Sequence, residues 1–345
     1  VITGVLITNG GCTMRCSVLI DWLTFSVKTC NDPYTVINWY LGMDASLFQP
    51  MPYGLNGYTD GLEFNNIMVL YNPCQQMKNH DSGVCVSMSG NGCRTFEQFS
   101  KLTLDGCIDK QGTVNCTFPA LFQLICCNDC NVSRIDIACD DHDGALDLDM
   151  IASCVRDKNM NTRMQYRQIV ESFDGSGRDG FTIYLGAPSS DFRVRFYDKA
   201  AQLQEAGHWV RCELVLKGKN ALGFVQNFVN CDSLGTLTCG VINDKFSFID
   251  RDDSNICRCS VCAWWVDFLG SLESVSVFSR EVVQHPIEHI RDWVIRQVAP
   301  SIGMLYQAYG SVAFFNDVVK EGFQRMTGKQ LQLCSDFREF LSNAC

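Results

Sequence analysis

No apolar run in this chain of 345 residues reaches the ~18–20 residues that a membrane span needs. No basic stretch leads into an apolar core near its start, so no signal peptide is expected. Positive charge is scarce: 28 Lys and Arg stand against 38 Asp and Glu, for a net charge of −10. That excludes binding nucleic acid through bulk charge, since affinity for a phosphate backbone comes from Lys and Arg, and leaves only local clustering. Histidine is limited to five residues. His285 and His289 have metal-pair spacing, but Pro286 stands where H-E-x-x-H needs Glu, so they read as surface or packing residues. The glycine-rich Ser89–Arg94 lacks the Lys-Ser/Thr ending of a P-loop, and a loop near DNA phosphate and a tight turn account for it equally well. The acidic run Asp140, Asp141, Asp143 and Asp147 reads equally as a solvated turn and helix start or as a metal loop, though it lacks the Gly and Glu positions of an EF-hand. There is no internal repeat and no low-complexity tract.

Cysteine, by contrast, is abundant at 21 residues. A secreted disulfide scaffold is short, loop-rich and evenly paired, whereas this chain is long and places Cys139, Cys154 and Cys212 at apolar positions. Reduced thiols acting as small hydrophobes in a cytoplasmic protein are expected. Cys127-x-x-Cys130 and Cys259-x-x-Cys262 leave open a zinc-stabilised interaction module, although the pairs are far apart in sequence.

Two stretches alternate charge and apolar side chains with a period of two, as half-buried strands do. In Phe192–Lys199, Arg193, Arg195, Tyr197 and Lys199 share one side and Val194 and Phe196 the other. In Trp209–Lys217, Arg211, Glu213 and Lys217 oppose Cys212, Leu214 and Leu216. The positive charge concentrates here: residues 193–219 carry Arg193, Arg195, Lys199, Arg211, Lys217 and Lys219 against Asp198, Glu205 and Glu213. Other expected strands are Ser17–Val27 and Val132–Cys139, the latter with Arg134, Asp136 and Asp140 on one face. Residues 51–90 read as antiparallel strands with turns at Asn56-Gly57 and Asp60-Gly61. Helices are expected at Pro33–Leu41, from Arg94 to about Leu102, at Ala145–Arg156 and at Ala221–Val229, then at Glu281–Val298 and through much of Ile302–Leu341. The elements do not alternate as βαβ units. The expected fold class is therefore α+β, a mainly antiparallel sheet with helices packed on one face, followed by a helical C-terminal segment. The expected division is a catalytic domain at 14–220 and a mostly helical region at 221–345.

A tyrosine hydroxyl beside three cations and a carboxylate is suited to binding and attacking a phosphate. Tyr197 is the candidate nucleophile, with Arg195 and Lys199 roughly 7 Å to either side along the strand. Arg193, Arg195 and Arg211 are the candidate phosphate-binding cations. Asp21, Asp136 and Glu213, if their strands are neighbours, converge as oxygen ligands suited to Mg²⁺ or Mn²⁺. Each piece also has an ordinary structural reading. A strand tyrosine packs half-buried, and Arg134–Asp136 or Arg211–Glu213 form cross-strand ion pairs worth roughly 0.2–1 kcal/mol.

Eight segments, in order from about residue 18 to residue 330, resemble the replication initiation factors of the Rep_trans type. They are Ile20-Asp21-Trp22-Leu23-Thr24-Phe25, Ser89-Gly90-Asn91-Gly92-Cys93-Arg94, Ser133-Arg134-Ile135-Asp136-Ile137-Ala138 and Thr182-Ile183-Tyr184-Leu185-Gly186. They continue as Arg195-Phe196-Tyr197-Asp198-Lys199, Arg211-Cys212-Glu213-Leu214, Cys262-Ala263-Trp264-Trp265 and Gln297-Val298-Ala299-Pro300-Ser301. The resemblance implies a bacterial enzyme that nicks one strand of single-stranded or hairpin origin DNA, joins a tyrosine to the 5′ phosphate, and later reseals the strand. It implies Tyr197 as that tyrosine, a host helicase as partner, and a homodimer. This chain and that family both lack the His-hydrophobe-His metal motif of other rolling-circle nickases. A catalytically silent origin-binding regulator on the same fold is the alternative, with Tyr184 the next candidate nucleophile if Tyr197 is not used.

Overall fold

The computed structural model describes residues 16–74, 83–102, 117–128, 130–175, 177–231 and 233–273. In the C-terminal part it describes 287, 291, 294–311, 313–328, 330–331, 334–335 and 337–338. The chain divides into two compact units at Ser279/Arg280. The first thus extends past the boundary expected at residue 220. The helices that follow share one core with the sheet: Ala221, Phe224 and Val225 pack in the same cluster as Ile137, Val194 and Leu214.

The first unit begins with β1 (Cys16–Val27), the short helix α1 (Pro33–Thr35), and β2 (Gln49–Pro50), β3 (Tyr58–Phe64), β4 (Ile67–Pro73) and β5 (Val84–Ser89). Helices α2 (Gly90–Phe99) and α3 (Thr117–Cys127) precede β6 (Cys130–Asp141), then α4 (Leu148–Arg156) and β7 (Met160–Thr162). Next come β8 (Arg167–Asp174), β9 (Gly177–Leu185), β10 (Phe192–Asp198), α5 (Lys199–Leu203) and β11 (Val210–Lys217). The unit continues with α6 (Gly218–Phe228), α7 (Leu234–Lys245), β12 (Phe246–Phe248) and α8 (Ala263–Glu273). Ten strands form one sheet in the order β2-β3-β4-β5-β1-β6-β11-β10-β9-β8, and β12 pairs with β7 separately. Every neighbouring pair runs antiparallel. The α+β class and its antiparallel sheet are as the sequence predicts.

Local chemistry explains several boundaries. Asp32 caps α1 by accepting from the backbone N–H groups of Tyr34 and Thr35, and the chain continues through a wide turn to Tyr40 before Gly42 reverses it at φ +57°. The β3–β4 hairpin turns at Asn65-Asn66, both at positive φ, as a two-residue turn requires. Asp60-Gly61, expected as a turn, lies within β3. A Cβ at Gly61 would come within 2.7 Å of the Met51 sulfur, so close packing is what uses this glycine. Gly92, inside the glycine-rich stretch, lies so near the Asn66 carbonyl that a Cβ would meet it at 2.2 Å. The stretch opens α2 and packs it on the hairpin.

Behind β10, Phe196 meets Phe246, Phe248 and Trp265 edge-on at centroid distances of 6.0–6.3 Å. Such aromatic pairs add roughly 0.5–1.5 kcal/mol beyond their area burial. This cluster anchors the apolar side of the strand whose other side carries Arg195 and Tyr197.

No disulfide joins the described cysteines. Burial pushes the thiols of Cys93, Cys139 and Cys212 well above the usual range. Alkylation of the native protein at neutral pH, read by peptide mapping, is expected to mark exposed Cys127 and Cys257 first and to reach Cys93, Cys139 and Cys212 only after unfolding. Prompt native labelling of Cys139 or Cys212 would refute their role as core hydrophobes. Among the described residues no helix is long and apolar enough to cross a membrane.

The second unit contains α9 (Ala299–Tyr309), which opens with Pro300 in its first turn and closes at Gly310 with φ +66°. It also contains α10 (Ala313–Arg325), where Arg325 pairs with Glu321 one turn earlier. The expected helix Glu281–Val298 falls largely outside the described residues, as do His285 and His289.

Candidate active site on the sheet

Strand pairing brings the expected residues into adjoining rows. Tyr184, Arg195, Glu213 and Ala138 are successive cross-strand partners on β9, β10, β11 and β6. The next row holds Thr182, Tyr197, Arg211 and Asp140. Side chains of one row and the row two residues on share a face, so this side of the sheet collects the polar groups. The opposite side carries Ile137, Cys139, Val194, Phe196, Cys212 and Leu214, all fully buried.

Glu213 is the hub. Its side chain is 1% exposed, pairs with the Arg195 guanidinium through Oε1, and accepts a hydrogen bond from the Tyr197 hydroxyl through Oε2 at 3.0 Å. Arg195 also lies 4.0 Å from Asp136 Oδ2, and its side chain remains one-third exposed. Asp136 is held from the other side by Arg134, which donates two hydrogen bonds at 2.9 and 2.6 Å. Arg134 in turn lies 4.2 Å above the Trp22 ring centroid.

Burial raises the Tyr197 hydroxyl above its ordinary range, and the Glu213 charge adds to the effect while Arg211 opposes it. Tyr197 is therefore protonated at neutral pH, with Glu213 Oε2 accepting its hydroxyl hydrogen bond. Burial likewise raises the Asp136 carboxyl, against the hydrogen bonds of Arg134. Burial lowers Lys199, and nearby Arg211 lowers it further, making its ammonium a better proton donor.

Lys199 is not the last residue of the strand, as the alternation predicts. β10 ends at Asp198, whose side chain caps α5 by accepting from the Ala201 N–H, and Lys199 opens that helix. Its ammonium nevertheless lies 5.9 Å from the Tyr197 ring centroid. Arg193 and Arg195 keep their expected place on the polar face. Arg211, expected to bind DNA, shares that face but is 3% exposed, with its guanidinium on Asp140, at 2.6 and 2.8 Å, and on Asp21 at 3.1 Å. Its position in the middle of the sheet, opposite Asp140, makes it a buried counter-ion.

Removing Arg211 should accordingly cost stability. Arg211→Leu leaves Asp140 buried and unpaired, and a loss of about 3–5 kcal/mol is expected in urea unfolding. The double change with Asp140→Asn should recover much of it. A loss below 1 kcal/mol would show that Arg211 is not the partner that keeps Asp140 buried.

The three expected metal ligands are only partly brought together. Asp136 and Glu213 face one another across Arg195, whereas Asp21 is turned to Arg211 by a β-bulge. In the β1–β6 pairing the register shifts between Ile20 and Trp22, leaving Asp21 as the extra residue. Among the described residues no three His, Cys, Asp or Glu side chains are grouped to hold a metal ion, the two C-x-x-C pairs included. A pair of carboxylates does fit Mg²⁺, which takes one or two carboxylates together with substrate phosphate oxygens.

Sequence reasoning missed Arg94 as a positioning residue. Its guanidinium donates to the Ile20 carbonyl at 2.7 Å, fixing the backbone immediately before the bulge, and pairs with Glu97 at 3.1 Å. Its only sequence signal was its place at the end of Ser89–Arg94.

Comparison with known proteins gives the family of the chain. Residues 130–321, more than half the chain, match the family described as replication initiation factor. Residues 17–104 match the N-terminal domain of rolling circle replication initiation proteins. The chain is 26% identical over 302 residues to the putative DNA relaxase NicK of Bacillus subtilis (strain 168), covering 84% of this chain and 81% of that protein. It is similar to the structure of the rolling circle replication initiator protein from Geobacillus stearothermophilus, with a TM-score of 0.67 and 26% identity. That match covers 77% of this chain and 99% of the other.

Proposed function

This chain belongs to the replication initiation factor family, and on that premise we propose that it is a rolling-circle initiator or relaxase that nicks one DNA strand through Tyr197. The observation that carries this reading is the hydrogen bond from the Tyr197 hydroxyl to buried Glu213, with Arg195 alongside. Glu213 accepts the phenolic proton as the tyrosine oxygen attacks phosphorus. The P–O3′ bond breaks, and the departing 3′ oxygen takes a proton from Lys199. The product is a 5′-phosphotyrosyl link and a free 3′ hydroxyl. Attack by a 3′ hydroxyl on the same link reverses the sequence and reseals the strand without ATP, because the phosphodiester energy is retained.

Arg195, one-third exposed and tied to Glu213, offers its outer N–H groups to the phosphate oxygens. Asp136 and Glu213 are the carboxylates that would hold Mg²⁺ or Mn²⁺ beside that phosphate, and such an ion would neutralise charge developing on its oxygens. Single-stranded or extruded hairpin DNA is the proposed substrate, since a lone tyrosine reaches an unpaired backbone more readily. A bacterial cytoplasmic setting, a helicase partner and a homodimer complete the proposal.

The test works whatever the origin sequence is. A random library of single-stranded and hairpin DNA is incubated with the protein and Mg²⁺ or Mn²⁺, and DNA surviving denaturation on the protein is sequenced. One recurrent 5′ end, linked by mass mapping to Tyr197, is expected. Specific binding without any covalent product would favour the silent regulator instead.

A further inference from the structure

The polar side of β9 and β10 carries one arrangement that the proposed chemistry leaves unused. The Arg193 guanidinium carbon lies 4.0 Å from the centroid of the Tyr184 ring. The other arginines around the site are occupied: Arg134 by Asp136, Arg195 by Glu213, Arg211 by Asp140 and Arg94 by Glu97. Among the described residues no carboxylate pairs with Arg193, whose cross-strand neighbour on β11 is Val215. Its Nε is buried without a hydrogen-bond partner. The guanidinium is thus held against an aromatic ring, with one of its edge donors turned inward.

Position adds a second constraint. Tyr184 pairs with Arg195 and Thr182 with Tyr197, so Tyr184 and Tyr197 are diagonal neighbours on adjacent strands, roughly 7–8 Å apart. Gln168 lies opposite Tyr184 on β8 and accepts a hydrogen bond from the Tyr166 hydroxyl at 3.2 Å, an arrangement that orients its amide beside the ring. A phosphate is best bound by the in-plane N–H edge of a guanidinium, whereas a flat guanidinium on an aromatic ring suits the face of a planar ligand.

We propose that Arg193, supported by Tyr184, is a stacking shelf for the base of the nucleotide adjoining the phosphate that Tyr197 attacks. The ligand is a nucleobase of single-stranded DNA, and the inference rests on the nicking reading above. Because every base has a π-face, the shelf accepts all four, with purines favoured by their larger area. It holds the strand flat across β9 and β10 and so aligns the scissile phosphate with the tyrosine.

The experiment uses the DNA recovered from the library, with 2-aminopurine placed on either side of the cut, bound to the full chain carrying Tyr197→Phe. Fluorescence should be quenched at one of the two positions. Adding Tyr184→Phe should preserve that quenching. Adding Tyr184→Leu or Arg193→Lys should abolish it and weaken binding roughly 5- to 150-fold. With an abasic nucleotide at the same position, Arg193→Lys and its parent should bind alike, since no base remains to lose. Equal weakening on intact and abasic strands would make Arg193 a phosphate contact and overturn the shelf, as would quenching that persists in both variants. Lack of any covalent product with the unmodified protein would remove the nicking reading and the shelf with it. A normal product with no quenching would remove the shelf alone.

Discussion

Changing Tyr197 to Phe should eliminate the covalent protein–DNA product, lowering its rate of formation by roughly four orders of magnitude or more, as loss of a nucleophile does. The substitution removes one oxygen and keeps the ring between Arg195 and Lys199, so the fold should lose only about 1 kcal/mol for the missing hydrogen bond to Glu213. DNA binding should change little, because the proposed phosphate and base contacts come from other side chains. Denaturing gels with labelled DNA measure the product, and anisotropy measures the binding. Undiminished product would transfer the nucleophile elsewhere. Tyr184 is poorly suited to replace it, since Arg193 lies over its ring.

Glu213→Gln is expected to slow adduct formation by about 10²- to 10⁴-fold, the range for loss of a general base. The amide keeps the shape and still accepts from the Tyr197 hydroxyl, but it cannot take the proton. The diagnostic readout is the pH profile. Burial holds the Tyr197 hydroxyl above its ordinary range, so in the variant the phenolate must come from bulk base. The rate should then climb about tenfold per pH unit through the neutral and mildly alkaline range, which is the first-order dependence of an uncatalysed deprotonation. The unaltered protein, with its base in place, should show a flatter profile. A variant within twofold of the parent, or one equally slow at every pH, would remove Glu213 from the proton path and leave it a counter-ion for Arg195.

The alternating strands made much of this site legible. Period two placed Arg193, Arg195 and Tyr197 on one face, Arg134 and Asp136 on another, and Glu213 on a third, and pairing joined those faces. Period alone does not say which strands are neighbours, and register is set by long-range pairing. That is why Arg211 looked like a DNA-facing cation: its exposure depends on Asp140 standing opposite, 71 residues away in sequence. Lys199 fitted the alternation as well as its neighbours did, and only the Asp198 cap shows that the strand has already ended. The compact unit ran past residue 220 because the sheet's apolar side needs α6 and α8 to cover it, a demand that a change in local composition does not reveal.

The register slip at Asp21 has a consequence for how this chain tolerates change. Before it, Val18 and Ile20 point into the interior; after it, Leu23, Phe25 and Val27 do. One added residue reconciles two opposed phases within a single segment, and Arg94 clasps the seam. Deleting Asp21 would close the pairing with β6 into one unbroken alternation, Ile20, Trp22 and Leu23 keeping Ile137, Asp136 and Ile135 as partners and Ile20 and Leu23 still facing inward. The bulge is therefore spent on the polar face and not on the interior: its loss should leave the packing whole while depriving Arg211 of one of its two carboxylates.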